Sequence, residues 1–177
     1  MFRPGSKFSL ASAPVALLGV LLIACAPPLA AQSAGESAAS DKPQLVDFWQ
    51  PGDPGQRMNI RGRVTSLDGT PQPGIEISIR QANGAGDYTE RYRGVIVTDD
   101  RGRYQFGSAV PGNYGGAKHV HVTVYQDGWE YYDTNILFQG DPNLGGYEEG
   151  TPIFLEESSV KGETMMFGRF DIVLTPE

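Results

Sequence analysis

The stretch His119-Val120-His121-Val122-Thr123-Val124-Tyr125 alternates valine with polar or aromatic residues at every second position. Successive side chains of a β-strand point to opposite faces, so this period of two predicts a strand that turns its valines toward a core. The same alternation places His119 and His121, the only two histidines of the chain, on one face. At about 3.3 Å per residue they lie roughly 6.6 Å apart along the strand, which allows both to reach one metal ion.

Further runs with this alternation, or rich in β-branched and aromatic residues, recur along the chain at short intervals. They are Asn59–Thr65, Ile75–Ala82, Gly94–Thr98, Tyr104–Phe106, Thr134–Phe138 and Arg169–Leu174. Turn dipeptides such as Asp68-Gly69, Pro73-Gly74 and Asp127-Gly128 lie between them. No window shows a sustained helical stripe. The pattern predicts an all-β fold, an antiparallel β-sandwich of about seven or eight strands.

The N-terminus has the pattern of a secretory signal, in which basic residues precede a short apolar run at Val15–Ala24. Leu22-Ile23-Ala24-Cys25 resembles the lipobox of bacterial lipoproteins. Residues 1–24 are therefore predicted to be a signal peptide, with a lipid on Cys25 that anchors the mature chain to a membrane. The alternative is ordinary cleavage after Ala31, which discards Cys25. Both alternatives predict an exported protein of the bacterial periplasm or cell envelope.

Composition divides the rest of the chain into two parts. Residues 25–44 are rich in Ala, Ser, Pro and Gln and contain few large apolar side chains, so we expect a flexible tether. Residues 45–177 have the length of one domain with a single core. The 14 basic and 21 acidic residues give a net charge of −7, which disfavours nucleic acid as a partner.

Two tyrosines are candidates to join the histidines at a metal. Tyr114 lies shortly before His119, and Tyr88 lies in Gln81-Ala82-Asn83-Gly84-Ala85-Gly86-Asp87-Tyr88, which we expect to be a loop that aims the side chain into a site. Imidazole alone suits zinc, copper, nickel or iron about equally. A phenolate is a hard anionic donor, and its presence favours a highly charged ion such as Fe(III).

Short motifs follow one another along the chain in a characteristic order. They are Gly69–Gly74, Gln81–Tyr88, Thr98–Phe106, Pro111–Tyr114, His119–His121, Phe138–Pro142 and Arg169–Leu174. In this order they resemble the intradiol ring-cleaving dioxygenases, in particular the β chain of protocatechuate 3,4-dioxygenase, over about Arg61 to Leu174. The resemblance implies a prealbumin-like sandwich. It also implies cleavage of a catechol-type ring with incorporation of both atoms of O2.

The resemblance implies a ligand set as well. One Fe(III) per chain would be bound by Tyr88, Tyr114, His119 and His121. Tyr114 and His121 would be the axial ligands with catalytic roles, because substrate displaces Tyr114 when it binds. Family members often pair with themselves or with another subunit, so a homo-oligomer is also implied.

Some positions depart from the family pattern. Family members usually carry Arg-Pro-Ala just before the two histidines, and here that place reads Gly116-Ala117-Lys118. Without the arginine we expect a slow enzyme or an unusual substrate, unless Arg91 or Arg93 supplies the positive charge. Asn135 stands where the family often has a glutamine near the iron.

Two other functions remain open from the sequence. A transthyretin-like or carboxypeptidase-regulatory-like module has the same sandwich and binds no metal, but it has no reason to keep both histidines beside Tyr114. An exported carrier of ferric iron or of a ferric catecholate would use the same ligands without cleaving the ring. Only oxygen uptake separates that carrier from the enzyme.

Overall fold

The computed structural model describes residues 43–146 and 149–175. The predicted signal peptide, Cys25 and most of the predicted tether lie outside them. The strands are β1 (Leu45–Asp47), β2 (Arg57–Ser66), β3 (Glu76–Ala82), β4 (Tyr88–Val97), β5 (Arg103–Ala109), β6 (His119–Gln126), β7 (Trp129–Phe138), β8 (Thr151–Ile153), β9 (Leu155–Val160), β10 (Glu163–Arg169) and β11 (Ile172–Leu174). A short 3-10 helix covers Leu144–Gly146. The described residues contain no helix with the length and hydrophobicity of a membrane span.

The strands form two sheets. The first has the order β1-β5-β2-β10-β9, with β11 also paired to β2, and the second has the order β4-β3-β6-β7-β8. One core cluster takes buried side chains from both sheets, such as Met58 and Ile60 from the first and Ile77 and Val122 from the second. The two sheets therefore pack face to face, which confirms the predicted all-β sandwich.

The structure has more strands than the sequence pattern indicates. The three-residue strands β1 and β8 are too short to show an alternation, and each pairs parallel to its neighbour at a sheet edge. Strand β9 and residues 163–168 of β10 lie outside the predicted runs. Of the predicted run Arg169–Leu174, only Arg169 lies in β10, and Ile172–Leu174 form β11. Asp171 interrupts the run, because its carboxylate accepts a hydrogen bond from the backbone amide of Arg63 at 3.0 Å.

The alternation of β6 has the predicted result. Val120, Val122 and Val124 are buried, whereas the intervening His121 and Thr123 lie on the outer face of the second sheet. Full burial of each valine stabilises the fold by roughly 1.5–3 kcal/mol. The core therefore holds β6 in the register that presents its histidines outward.

Two tyrosines that are not candidate ligands are buried in the core. Tyr104 lies in β5, and Tyr92 lies fully buried in β4. Its hydroxyl donates a hydrogen bond of 2.9 Å to the carboxylate of Asp53, which also accepts one of 2.7 Å from the amide of Gln50.

Asp53 also forms an ion pair with Arg91. The hydrogen bond from Arg91 is the main reason why the pKa of Asp53 falls from 3.8 to about 2. Burial, followed by the neighbouring Asp53, raises the pKa of Tyr92 from 10.0 to about 12. The contacts of Asp53 thus join the turn before β2 to strand β4.

Asp53→Asn is expected to change the acid stability of the protein. The pKa of Asp53 is lower in the folded than in the unfolded state, so its contribution to stability is present above about pH 4 and is lost as the pH falls toward about 2. The difference in Tm between wild type and Asp53→Asn should therefore shrink over this window in thermal melts followed by circular dichroism. Asp100→Asn, at an exposed turn, is the control. A Tm difference for Asp53→Asn that stays constant across the window would contradict the account.

Candidate metal centre

The four predicted ligands meet at the outer face of the second sheet. His119 and His121 lie in β6, and Tyr114 lies in the segment between β5 and β6. Tyr88 is the first residue of β4, not part of a loop as predicted, because it already pairs with Ala82 of β3 across a β-bulge.

Asn83 holds together the two segments that carry the tyrosines. Its side-chain oxygen accepts hydrogen bonds of 2.9 and 3.0 Å from two backbone amides of the turn that precedes Tyr88. Its backbone carbonyl accepts a hydrogen bond of 2.9 Å from the amide of Gly112. Since Gly112 lies just before Tyr114, this single residue sets the separation of the two phenol side chains.

Glycines make the close approach of these segments possible. Gly86 has a φ of +96°, and a Cβ there would lie 2.6 Å from the carbonyl oxygen of Asn113. A Cβ on Gly112 would lie 2.5 Å from the carbonyl oxygen of Gly84. Both positions require glycine, which explains the glycine-broken sequence around Tyr88 and Tyr114.

The donor atoms of the four side chains form a continuous series of contacts. Tyr88 Oη lies 3.3 Å from His121 Nε2, and that nitrogen lies 3.1 Å from His119 Nε2. Tyr114 Oη lies 3.4 Å from His119 Nε2 and 2.7 Å from His119 Nδ1. Two oxygens and two nitrogens are thus gathered in one place.

The contacts of His119 favour one tautomer of its ring. Its Nδ1 lies 2.9 Å from the carbonyl oxygen of Ala117, which can only accept a hydrogen bond, so the tautomer with the proton on Nδ1 is favoured. Histidines that bind metals through Nε2 are commonly oriented by such a bond. The lone pair of Nε2 is therefore directed at His121.

The electrostatic surroundings keep His121 neutral. Burial of the ring, followed by the nearby His119 and Arg80, lowers the pKa of His121 below its ordinary value of 6.5. At neutral pH the ring is therefore uncharged, and one of its two nitrogens carries an available lone pair. A neutral imidazole is the form that binds metals.

This arrangement fits a metal ion. The two Nε2 atoms lie 3.1 Å apart, so in the tautomers that carry the proton on Nδ1 both can direct a lone pair at one cation. Nitrogens that bind one ion at about 2.1 Å and at right angles lie about 3 Å apart, which matches the observed spacing. Two phenol oxygens complete the set, and a trivalent ion favours their phenolate form although tyrosine free in water titrates near about 10. The donor types suit Fe(III).

Arg80 is a charged residue beside this cluster that the sequence did not indicate, and Asp133 is a second one near enough to act on His121. Arg80 stands directly opposite His121 in the pairing of β3 with β6, and its guanidinium carbon lies 4.8 Å from the centre of the Tyr88 ring. The described residues place no carboxylate within ion-pairing distance of it. Its proximity follows from the strand register, which cannot be read from the sequence.

The two arginines that the sequence offered as substitutes are occupied elsewhere. Arg91 pairs with Asp53 and Arg93 pairs with Glu90, so the prediction that one of them supplies charge at the site is not supported by their contacts. Arg80 is the arginine that contacts a predicted ligand.

Asn135 lies on the other side of His121. It stands directly opposite His121 in the pairing of β6 with β7. Its Oδ1 atom is buried and has no hydrogen-bond partner in the described part of the chain. A buried acceptor without a partner costs stability, so this oxygen is suited to accept a hydrogen bond from a bound ligand.

Residues 43–146 and 149–175 were also compared with the commonest kind of metal site, which is built from His, Cys, Asp and Glu side chains. These residues contain no group of three or more His, Cys, Asp and Glu side chains that could hold a metal ion. The tyrosine–histidine cluster, defined by Tyr88, Tyr114, His119 and His121, is therefore the candidate centre in this part of the protein.

Comparisons of sequence and of structure both show that this chain is similar to dioxygenases. A family model described as Dioxygenase matches residues 30–176. Hydroxyquinol 1,2-dioxygenase of Rhizobium sp. is 38% identical over 118 residues, which cover 51% of this chain and 40% of that protein. The protocatechuate 3,4-dioxygenase β chain of Burkholderia cepacia is 29% identical over 157 residues, which cover 68% of this chain and 65% of that protein.

Among solved structures, dioxygenase domains have a fold similar to that of this chain. The dioxygenase domain of a dioxygenase and carbohydrate-binding fusion protein from Streptomyces sp. SirexAA-E has a TM-score of 0.65 and 25% identity, with coverage of 82% of this chain and 97% of that chain. The curated relatives are longer proteins. This chain spans about half of their length, from 40% to 65% in the two described above.

Proposed function

The chain belongs to the intradiol dioxygenase family, and on that premise we propose that it is a mononuclear Fe(III) enzyme that cleaves a catechol-type ring with O2. The observation that carries the proposal is the meeting of Tyr88, Tyr114, His119 and His121. These side chains would hold the iron. Bound iron supplies a Lewis acid and a template for both oxygens of the catechol.

Tyr114 is the ligand that can move. The following Gly115 has a φ of +102°, and a Cβ added to Gly115 or Gly116 would meet no atom within 4 Å. The segment therefore has space around it, and Tyr114 can swing out when a catechol enters. Its phenolate oxygen would accept a proton from a catechol hydroxyl, since a free phenolate is a base with a pKa of about 10.

Tyr88 is held in place. It belongs to β4, and the Arg80 guanidinium lies over its ring. A cation over the face of an aromatic ring is favourable by about 0.5–2 kcal/mol. Tyr88 is thus suited to remain bound throughout turnover, and Asn135 on the opposite side is suited to accept a hydrogen bond from the substrate.

Arg80 favours substrates that carry a negative charge. Its guanidinium is exposed beside His121 and is not neutralised by a carboxylate of the described residues. We propose that it binds a carboxylate group carried by the substrate, so the protein prefers catechols with an acidic substituent to catechol itself.

Arg80→Met is expected to lower kcat/KM at least tenfold for a carboxylated catechol and less than threefold for catechol, because a hydrogen bond to a charged group contributes about 1.5–3 kcal/mol. Arg80→Lys should retain part of the preference. Arg93→Met is the matched control, because Arg93 lies opposite Arg80 in the same sheet but pairs with Glu90. Equal losses for both substrates in Arg80→Met would contradict this role.

Oxygen consumption tests the proposed reaction. Iron-loaded protein should consume O2 in step with the loss of a catechol, and a ring-opened dicarboxylate should form. The competing function is a carrier of ferric catecholate. Protein that binds many catechols with a change of colour, and never consumes O2 with any of them, would establish the carrier and overturn the enzyme.

We further propose that the protein is a cell-envelope lipoprotein, supported by the lipobox-like Leu22-Ile23-Ala24-Cys25. Labelled fatty acid should enter the wild-type protein and not Cys25→Ala. Because several acyl chains hold a protein firmly, the wild type should stay with membranes through a salt wash. A mature N-terminus at Gln32 would contradict the anchor.

A further inference from the structure

A second concave site lies on the outer face of the first sheet, on the opposite side of the sandwich from the tyrosine–histidine cluster. It is a cavity of about 480 Å³ whose lining includes Arg61, Arg63, Arg103 and Arg169, here called the arginine groove. Its volume lies within the range of small-molecule sites, about 300–1,000 Å³. A concentration of arginine is unexpected on a protein whose net charge is −7.

Strand pairing brings the four arginines together in two rows. Arg63 of β2 stands directly opposite Arg103 of β5, and Arg61 of β2 stands directly opposite Arg169 of β10. The two rows lie two residues apart along β2, which is about 7 Å. Like charges directly opposite each other destabilise a sheet. The first sheet carries two such pairs side by side.

Carboxylates fix the two outer arginines. Asp99 binds Arg103 at 2.7 Å, and Asp171 binds Arg169 at 2.7 Å. The central Arg61 and Arg63 have no carboxylate within ion-pairing distance in the described ranges. The groove is thus partly preorganised, and its central positive charges are not neutralised by the described residues.

The remaining lining favours a small organic anion. Phe167 offers an apolar surface, and Gln105 donates a hydrogen bond of 2.9 Å to Asn59, which holds both amide side chains in place. Glu156 lines the adjoining depression at the other side of Arg61 and Arg169, so the positive region is bounded there. These features suit a compact ligand better than an extended polyanion.

We infer that the arginine groove binds a small polycarboxylate, with carboxylate groups that reach both arginine rows. Guanidinium groups bind carboxylates through paired hydrogen bonds, and such charge-assisted bonds are about twice as strong as neutral ones. A ligand with two or more carboxylates relieves both like-charge pairs at once. The inference does not depend on the proposed dioxygenase activity, because it uses a different sheet and different residues.

The test uses the full chain loaded with iron and the probe tricarballylate, which lacks the hydroxyl group that makes citrate a strong iron chelator. Calorimetric titration at low ionic strength should show saturable binding of one tricarballylate, whereas acetate should bind at least tenfold more weakly. The visible absorption of the iron should not change, because the probe binds away from it. Chemical shifts should change at residues 61–63, 103–105 and 167–169.

Replacing Arg61 and Arg63 together by glutamine should weaken tricarballylate binding at least tenfold. Arg93→Gln, on the other sheet, should leave it unchanged. Without the probe, the Tm of the double variant should equal or exceed that of wild type, because two like-charge pairs are removed. The inference is overturned if tricarballylate shows no saturable binding, or if the double variant binds it equally well. It is also overturned if the double variant has a lower Tm, which would show that the two arginines have a role in the fold.

Discussion

His119→Ala is expected to remove iron and ring cleavage together. His119 Nε2 lies within 3.4 Å of both His121 Nε2 and Tyr114 Oη, so it is the donor that connects the two halves of the cluster. Loss of one of four protein donors should lower iron affinity by more than about 100-fold, since even the loss of a residue that only orients a ligand costs 10–100-fold. His121→Ala should have the same effect. Iron content and oxygen uptake measure the two losses.

The control for this experiment concerns folding. His119 is buried, so its removal leaves a cavity that can lower Tm by itself. His119→Gln keeps most of the volume and should still lose the iron. Added imidazole, which fills the cavity of His119→Ala and restores a nitrogen donor, should recover part of the iron and colour. A well-folded His119→Ala protein that keeps stoichiometric iron would contradict the assignment of this residue.

Tyr88→Phe and Tyr114→Phe are expected to fail in different ways. Tyr88 is fixed in β4 beneath Arg80, so its loss should mainly weaken iron retention and colour. Tyr114 lies on a segment with open space around Gly115 and Gly116, and its proposed role is to leave the iron and take a proton. Tyr114→Phe should therefore keep some iron and bind catechol, yet turn over slowly.

Tyr104→Phe is the matched control for both variants. The Tyr104 hydroxyl is buried in the core, where it donates a hydrogen bond to the carbonyl of Phe170. Its loss should cost about 1 kcal/mol of stability and leave the iron spectrum unchanged. Iron retention and single-turnover rates compare the three proteins. The same defect in Tyr88→Phe and Tyr114→Phe would show that the two tyrosines do not have separate roles.

Strands β2, β3, β5 and β6 and the C-terminal parts of β4 and β7 were predictable because they alternate with a period of two or are rich in β-branched and aromatic residues. Strand β9 and residues 163–168 of β10 lie outside every predicted run. In β6 the buried valines and outward histidines follow directly from the sequence. The three-residue strands β1 and β8 were not predictable, since their pairing is set by distant segments. The division of Arg169–Leu174 also depends on a contact far along the chain, from Asp171 to the backbone of Arg63.

The meeting of Tyr88, Tyr114, His119 and His121 was predicted by the order of motifs. The surroundings of the cluster were not. Arg80 and Asn135 flank His121 because of cross-strand register, which a single sequence does not contain. The ion pair of Arg91 with Asp53 also exists only in the folded chain, so the sequence did not show this partner of Arg91. The four clustered side chains could be inferred from residue type and context, whereas the charges around them required the structure.

The visible absorption spectrum of iron-loaded protein tests the central claim most directly. If Tyr88 and Tyr114 bind Fe(III) as phenolates, the protein is coloured by charge transfer from tyrosinate to iron. Catechol added without oxygen then shifts the band as Tyr114 leaves, and admitting O2 restores the original spectrum as the ring-opened product departs. A colourless protein that holds stoichiometric zinc in place of iron, or a catechol spectrum that persists unchanged in O2, would contradict the account.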